Sequence, residues 1–338
     1  MLVKKKEIKK ILCIKPRGIG DIILSTIILD SLKAYFPAAS IDYMTEPFAA
    51  PAFNNNPIVN KVIHMGRTEF TPKVAWRVRK EKYDMVLDLW SNPRTAQITF
   101  LSGIKYRVGF GYRGRSYAYN IKGTSERGSH HIADHNLELL KALDIPILSK
   151  RIHYYADPEE NLKARDFIKN NFPDNKKLYG IVPAGGWASK RCDWQKWVEI
   201  CIAIEKKYNA SILVITGPGD EEDGRQIKEN LPDLVTHAHR NTLDSLTALI
   251  NNCDFIVAND SGPMHLAAAL GKKTLGVFGP TSPFTAYPYP HSEAWIRKDD
   301  LFCIECNHLE CPYNHECMKE LPVDKVMLKI EEILNRQN

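Results

Sequence analysis

Asn259-Asp260-Ser261-Gly262-Pro263-Met264-His265 is the stretch on which the fold turns. An apolar run, Phe255-Ile256-Val257-Ala258, stands before it and reads as a buried strand. Leu266-Ala267-Ala268-Ala269-Leu270 follows and reads as a helix closed by Gly271. Asp260 or Ser261 is a candidate cap for that helix, and Pro263 sits where a first-turn proline is tolerated. A helix that begins at the carboxyl end of a strand points free N–H groups and a partial positive charge into a crevice. Two readings stay open on this stretch alone: a well-capped helix of any α/β protein, or a cradle for a diphosphate held without a metal.

Outward from this stretch, apolar runs alternate with helical patterns. In the first half, strands are expected at 11–14, 40–44, 62–64, 85–89 and 107–110, with helices over 21–35, 71–80, 97–101 and 132–143. Residues 113–128 have no apolar period and read as irregular chain. A second unit begins after Tyr155, with strands at 179–183, 212–216, 255–258 and 274–278 and helices over 158–171, 194–207, 221–230, 243–251 and 323–336. Strands separated by helices imply parallel sheets covered on both faces. At 338 residues the chain exceeds one ordinary core, so two α/β units are expected.

Composition narrows the function classes. The balance of 44% hydrophobic and 25% charged residues is that of an ordinary soluble globular protein. No apolar run approaches the ~18 residues that a membrane-spanning helix needs. The basic start is followed by an apolar run, Ile11-Leu12-Cys13-Ile14, too short for a signal peptide, so a cytoplasmic location is expected. A net charge of +6 favours anionic partners such as phosphorylated sugars or acidic lipid surfaces. No nucleic-acid motif is present, and nucleic acid is not an expected partner.

Four loops at expected carboxyl ends of strands carry unusual residues, and ligands of open α/β sheets bind there. In Lys15-Pro16-Arg17-Gly18-Ile19-Gly20-Asp21, Asp21 either caps the next helix or acts as a general base on a hydroxyl. The glycine spacing is neither a dinucleotide fingerprint nor a P-loop. In Pro183-Ala184-Gly185-Gly186-Trp187-Ala188-Ser189-Lys190-Arg191, the cations suit a phosphate or merely form a solvated basic loop. In Gly217-Pro218-Gly219-Asp220-Glu221-Glu222, the acids serve the helix dipole or bind a ribose diol. The fourth is the Asp260 loop with its neighbour Gly279-Pro280-Thr281-Ser282; His265 there is structural or donates to a phosphate. Near the end, Cys303, Cys306, Cys311 and Cys317 have metal-like spacing with His308 and His315 nearby; a structural metal, disulfides and reduced thiols all remain open.

Taken in order, these loops resemble the bacterial ADP-heptose:lipopolysaccharide heptosyltransferases, glycosyltransferase family 9. The resemblance runs over nearly the whole chain: Arg17 to Asp21, Asp88-Leu89-Trp90-Ser91-Asn92-Pro93-Arg94, residues 183–197, Thr216-Gly217-Pro218-Gly219 and, most specifically, residues 259–269. It implies a GT-B fold, two Rossmann-like domains with parallel sheets facing across a cleft. The acceptor domain is expected at 1–160, the nucleotide-sugar domain at 161–322, and a final helix at 323–338 that in such folds often packs back on the first domain. It further implies inverting, metal-independent transfer of heptose from ADP-heptose to the lipopolysaccharide inner core, with no cofactor. Asp21 matches the catalytic carboxylate, Lys190 the phosphate-binding lysine with Ser189 beside it, and Asp260 the carboxylate that holds sugar hydroxyls. Ser261, Gly262, Pro263, Met264 and His265 match the loop beside the diphosphate, and Glu221 the ribose-binding acid. Arg17, Gly20, Arg94 and Arg113 are the acceptor candidates, among a wider set of cations that includes Lys105, Arg107, Arg115, Lys122 and Arg127. The implied acceptor is a lipid A–Kdo type glycolipid met by peripheral contact at the cytoplasmic face of the inner membrane. The alternatives are a sugar-nucleotide 2-epimerase and a non-catalytic nucleotide-sugar or metal-binding scaffold.

Overall fold

A computed structural model describes residues 3–124, 128, 130–174 and 176–336; Arg127 lies outside the described residues. The chain forms two compact units, residues 1–155 and 156–338.

The first unit runs β1 (Lys10–Ile14), α1 (Ile19–Ser25), α2 (Leu29–Tyr35), β2 (Ser40–Thr45), β3 (Val59–His64), α3 (Thr71–Lys80), β4 (Met85–Asp88), α4 (Pro93–Leu101), β5 (Tyr106–Phe110), β6 (Ile121–Gly123) and α5 (Ile132–Lys141). Its six strands are ordered β3-β2-β1-β4-β5-β6 and pair in parallel throughout. The expected single helix over 21–35 is broken. Ser25 and Thr26 donate their hydroxyls to the carbonyls of Ile22 and Ile23, each at 2.6 Å, and the chain passes through a 3₁₀ turn, Thr26–Ile28. Such back-bonding competes with the helix ladder. The stretch expected to be irregular contains the short strand β6.

The second unit runs α6 (Pro158–Asn171), β7 (Leu178–Val182), α7 (Trp194–Tyr208), β8 (Ser211–Thr216), α8 (Glu221–Asn230), β9 (Val235–His239), α9 (Leu243–Asn251), β10 (Phe255–Asn259), α10 (Gly262–Ala269), β11 (Lys273–Val277), α11 (Pro283–Ala286), β12 (Trp295–Ile296), α12 (Glu316–Lys319) and α13 (Val323–Asn335). The strand order is β12-β11-β10-β7-β8-β9, again parallel and the same topology as the first sheet. The resemblance allowed the final helix to cross to the first unit. Here Val326, Met327, Ile330 and Ile333 form one apolar stripe buried in the second unit's core, and α13 packs on α7 and β11.

In a doubly wound sheet the strand order reverses at one point, and the loops beyond that point leave a crevice for ligand. The reversal lies between β1 and β4 in the first unit and between β7 and β10 in the second. Asp21 therefore follows one switch-point strand, and the Lys190 and Asp260 loops follow the two switch-point strands of the other sheet.

Candidate functional site

Gly18 shapes the loop after β1. Its φ of +76° is a conformation that side-chain-bearing residues avoid, and a Cβ there would stand 2.7 Å from Asp21 Oδ2. The carboxylate thus folds back over the turn while its side chain stays 34% exposed. Lys15 is the buried partner: its Nζ donates to the Leu89 carbonyl (3.3 Å), lies 3.5 Å from Asp21 Oδ1 and sits 4.8 Å over the Trp90 ring. Arg17 is half-exposed and pairs at 3.4 Å with the buried Glu46; Gly20 is buried in α1; Arg113 is exposed beside Gly114, which has φ +74°. Arg94, expected at the acceptor, is otherwise occupied. Its guanidinium donates to the carbonyls of Arg67 (2.7 Å), Gly66 (2.9 Å) and Glu69 (2.5 Å), tying α4 to the turn before α3. Asp88 is likewise structural: fully buried, it accepts from the Ser91 N–H and the Tyr119 hydroxyl, and burial raises its pKa.

In the second unit, Asp260 is buried at the end of β10. Lys190 Nζ and Thr281 Oγ1 each donate to its Oδ2 at 2.6 Å, which leaves Oδ1 available. Lys190 also lies 4.5 Å over the Trp187 ring. Ser261 occupies the N-cap of α10, yet neither it nor Asp260 caps the helix with a side chain. Among the described residues no side chain caps the first-turn N–H groups of Gly262 and Met264, which suits them to meet a ligand or water. The Ser261 hydroxyl is itself buried with no hydrogen-bond partner among the described residues, the condition in which a polar atom is costly unless a ligand meets it. Pro263 stands in the first turn; His265 is buried; Met264 packs its side chain into the core, where a Cβ on Gly276 would meet its sulfur at 2.6 Å. Asn259 ties the two switch-point strands together: its Nδ2 donates to the Pro183 carbonyl (2.7 Å).

Ser189, expected to touch ligand, is buried, and its hydroxyl donates to the His308 carbonyl at 2.5 Å. Its N–H donates to Leu309 O (3.1 Å) and its carbonyl lies 2.8 Å from His315 Nε2, so the cysteine-bearing segment braces the Lys190 loop. Among the acids at the start of α8, packing makes the choice. Asp220 is taken by Arg191 at 2.6 Å, with its pKa raised by burial, and Asp223 binds the same arginine at 2.9 Å. Glu222 pairs along the helix with Arg225. Glu221 remains exposed, held below the ordinary carboxylate range first by its own backbone N–H and then by that of Gly219.

Cys303, Cys306, Cys311 and Cys317 converge on one cavity, shared with Ser189, Gly279 and His315. All four are free thiols, and burial pushes Cys317 up to about 12. Among the described residues, no group of three or more His, Cys, Asp or Glu is arranged to hold a metal ion.

Lys15, Thr281 and Arg191 contact the candidate loops' carboxylates, and the sequence assigned them no specific partner. A signal existed for Thr281, since its loop follows the strand beside β10. None existed for Lys15, because a lysine ending a strand reads as solvated.

The comparisons with known proteins agree with this architecture. The lipooligosaccharide heptosyltransferase 2 of Haemophilus ducreyi is 27% identical over 347 residues, covering 96% of this chain and 99% of that protein. Among solved structures, the E. coli ADP-heptose lipopolysaccharide heptosyltransferase II matches with a TM-score of 0.77 at 23% identity, over 96% of this chain and 98% of that one. The E. coli heptosyltransferase WaaC with ADP matches with a TM-score of 0.73 at 20% identity, over 96% and 99%. These likenesses give the fold as GT-B. The sequence model of glycosyltransferase family 9 (heptosyltransferase) matches residues 72–316, well over half of the chain, and the protein belongs to that family of glycosyltransferases.

Proposed function

We propose that this glycosyltransferase moves heptose from ADP-heptose onto the inner core of lipopolysaccharide, inverting the anomeric carbon and using no metal. The names of the relatives support the donor and the product, and the ADP complex of WaaC supports the nucleotide. One observation carries the division of labour: each unit holds a lysine–carboxylate pair at its switch point, and opposite members of the two pairs are the more accessible. Asp21 is the accessible member in the first unit and Lys190 in the second.

Asp21 takes the proton of the acceptor hydroxyl, a contribution of about 10²–10⁴-fold. The freed oxygen attacks C1 of the heptose while the bond from C1 to the diphosphate breaks, and ADP leaves. Lys190, the uncapped N–H groups of α10 and the Ser261 hydroxyl receive the charge that develops on the diphosphate. Oδ1 of Asp260 accepts from a heptose hydroxyl, and Glu221 accepts from the ribose diol. Arg17 and Arg113, with the Gly20 turn, face the phosphorylated, Kdo-bearing acceptor, and the enzyme works at the cytoplasmic face of the inner membrane. Ser189 and Arg94 serve this scheme by mooring loops rather than by touching substrate.

Calorimetric titration with ADP-heptose, ADP-glucose, UDP-glucose and GDP-mannose tests the donor. Binding confined to the adenine nucleotides is expected; preference for a uridine sugar discards the reading. Transfer that persists in a chelator, with the product linkage opposite in configuration to the donor's, checks the finer claims.

A further inference from the structure

We propose that the outer face of α3 and α4 in the first unit is a docking surface for an anionic lipid bilayer. A glycolipid acceptor supplies the reason for such a surface, and in that respect the inference rests on the proposed function.

The fold uses only one side of α3. Val74, Ala75 and Val78 are buried against the sheet, while Lys73, Trp76, Arg79 and Lys80 look outward, and no acid lies within the helix. Trp76 is 58% exposed, with the Lys80 ammonium 3.5 Å above its ring, and Phe70 at the start of the helix is 71% exposed. The neighbouring α4 adds Phe100 and Leu101, both nearly half exposed, and Tyr117 packs edge-on to Phe100 at 5.4 Å.

The two helices lie side by side. Arg94 joins the start of α4 to the turn before α3, and Arg79 at the end of α3 lies against Gly103 just beyond α4. These side chains therefore make one surface. The flanking acids are already neutralised: Glu69 by Arg77 at 2.8 Å, and Glu81 by Lys61 at 2.7 Å. Arg79 and Lys80 make no ion pair among the described residues. Where the two helices end, a cavity of about 350 Å³ is lined by Arg79, Lys82 and Lys105. Its acids are committed, Glu7 to Lys105 at 2.8 Å and Asp84 to the backbone N–H groups of Lys9 and Lys10.

Exposed tryptophan and phenylalanine beside cations is the composition of a helix that lies in a bilayer interface, where rings enter the headgroup layer and cations meet lipid phosphates. A protein partner that matched this face would have to bury unpaired cations, which charged lipid headgroups satisfy without cost in register. Phe70 and Arg94 stand at the end of this face nearest the carboxyl ends of the strands, the end that carries Asp21.

Sedimentation of the full chain with vesicles of phosphatidylcholine, with and without phosphatidylglycerol, tests the surface. The chain is expected in the pellet only with phosphatidylglycerol, and to be released by added salt. Arg79→Gln and Lys80→Gln each lower the partition coefficient about fivefold, and Trp76→Ser lowers it further. All three variants keep the wild-type rate on an acyl-free acceptor oligosaccharide. A wild-type chain that stays in the supernatant, or variants that pellet like wild type, overturns the proposal. So does a stable complex with another polypeptide formed through this face in place of vesicle binding. If no acyl-free acceptor is used by any variant while vesicle binding still depends on these side chains, the transfer reading falls and the surface stands.

Discussion

Both units set a lysine beside a carboxylate in the loops beyond their switch-point strands, and opposite halves of the two pairs are the more buried. In the first unit Lys15 is 6% exposed and Asp21 34%, with 3.5 Å between them. In the second, Asp260 is 5% exposed and Lys190 16%, at 2.6 Å, with Thr281 as a further donor. A buried charge needs its partner far more than an exposed one does, because the desolvation already incurred is compensated only by that contact. The more buried member therefore depends on its partner, and the more accessible member is the one the proposed reading offers to substrate. On the proposed reading, the same two residue types serve as a base in one unit and an anion receptor in the other.

The largest expected effect on turnover comes from breaking the first pair. Asp21→Asn should lower kcat by about 10²–10⁴-fold while ADP-heptose affinity stays near wild type; the melting temperature falls somewhat, because the buried Lys15 loses its charged partner and keeps only the Leu89 carbonyl. Measurable wild-type turnover in this variant would remove the base and the comparison with it. For stability the second pair should matter more. Lys190→Ala leaves Asp260 buried with only the neutral Thr281 donor, and a loss of up to about 3–5 kcal/mol is expected, read by urea unfolding, with weaker ADP-sugar binding by calorimetry. An unchanged midpoint in urea would mean that Thr281 and water suffice to hold the Asp260 charge. Thr281→Val removes one charge-assisted hydrogen bond and should cost about 1.5–3 kcal/mol; a neutral result would shift the whole restraint onto Lys190.

The smallest effect is on pH dependence in the second unit. Burial pushes His237 below the ordinary imidazole value of 6.5, and its Nε2 lies 2.8 Å from Thr216 Oγ1. A base with a depressed folded pKa contributes its full stability above the unfolded value and loses it as pH falls through 6.5 toward the folded one, because the unfolded chain then binds the extra proton. His237→Gln should flatten that acid limb in melting curves taken across this range; an identical slope would show that His237 titrates alike in both states.

The central strands and most helices were legible because each is a local pattern. An apolar run bounded by turn residues marks β1, β4, β7 and β10, and the 3.6-residue period marks α5, α7 and α9. What escaped lies at sheet edges. In β9, Val-Thr-His-Ala-His is only partly buried, β6 has three residues and β12 two, so none offers an apolar run. The site was legible to the same degree. The loops were found, because glycines and charges at strand ends are local signals, but the fate of each charge was not. Arg94 and Ser189 look like ligand contacts in sequence, yet three carbonyls near α3 and the His308 carbonyl take up their donors.

Sequence alone determined the alternation of strand and helix, hence two parallel sheets, and the loops in which chemistry could sit, since these follow from spacing along the chain. Only the tertiary structure decided which charge in each loop is the accessible one. It took Asp220 for Arg191 and left Glu221 exposed against the Gly219 N–H and His239, buried Lys15 under Asp21, and set Asp260 beneath Lys190. Periodicity is a property of neighbours in sequence, whereas burial and pairing of a charge are set by groups tens of residues away, brought together only when the sheet closes its register.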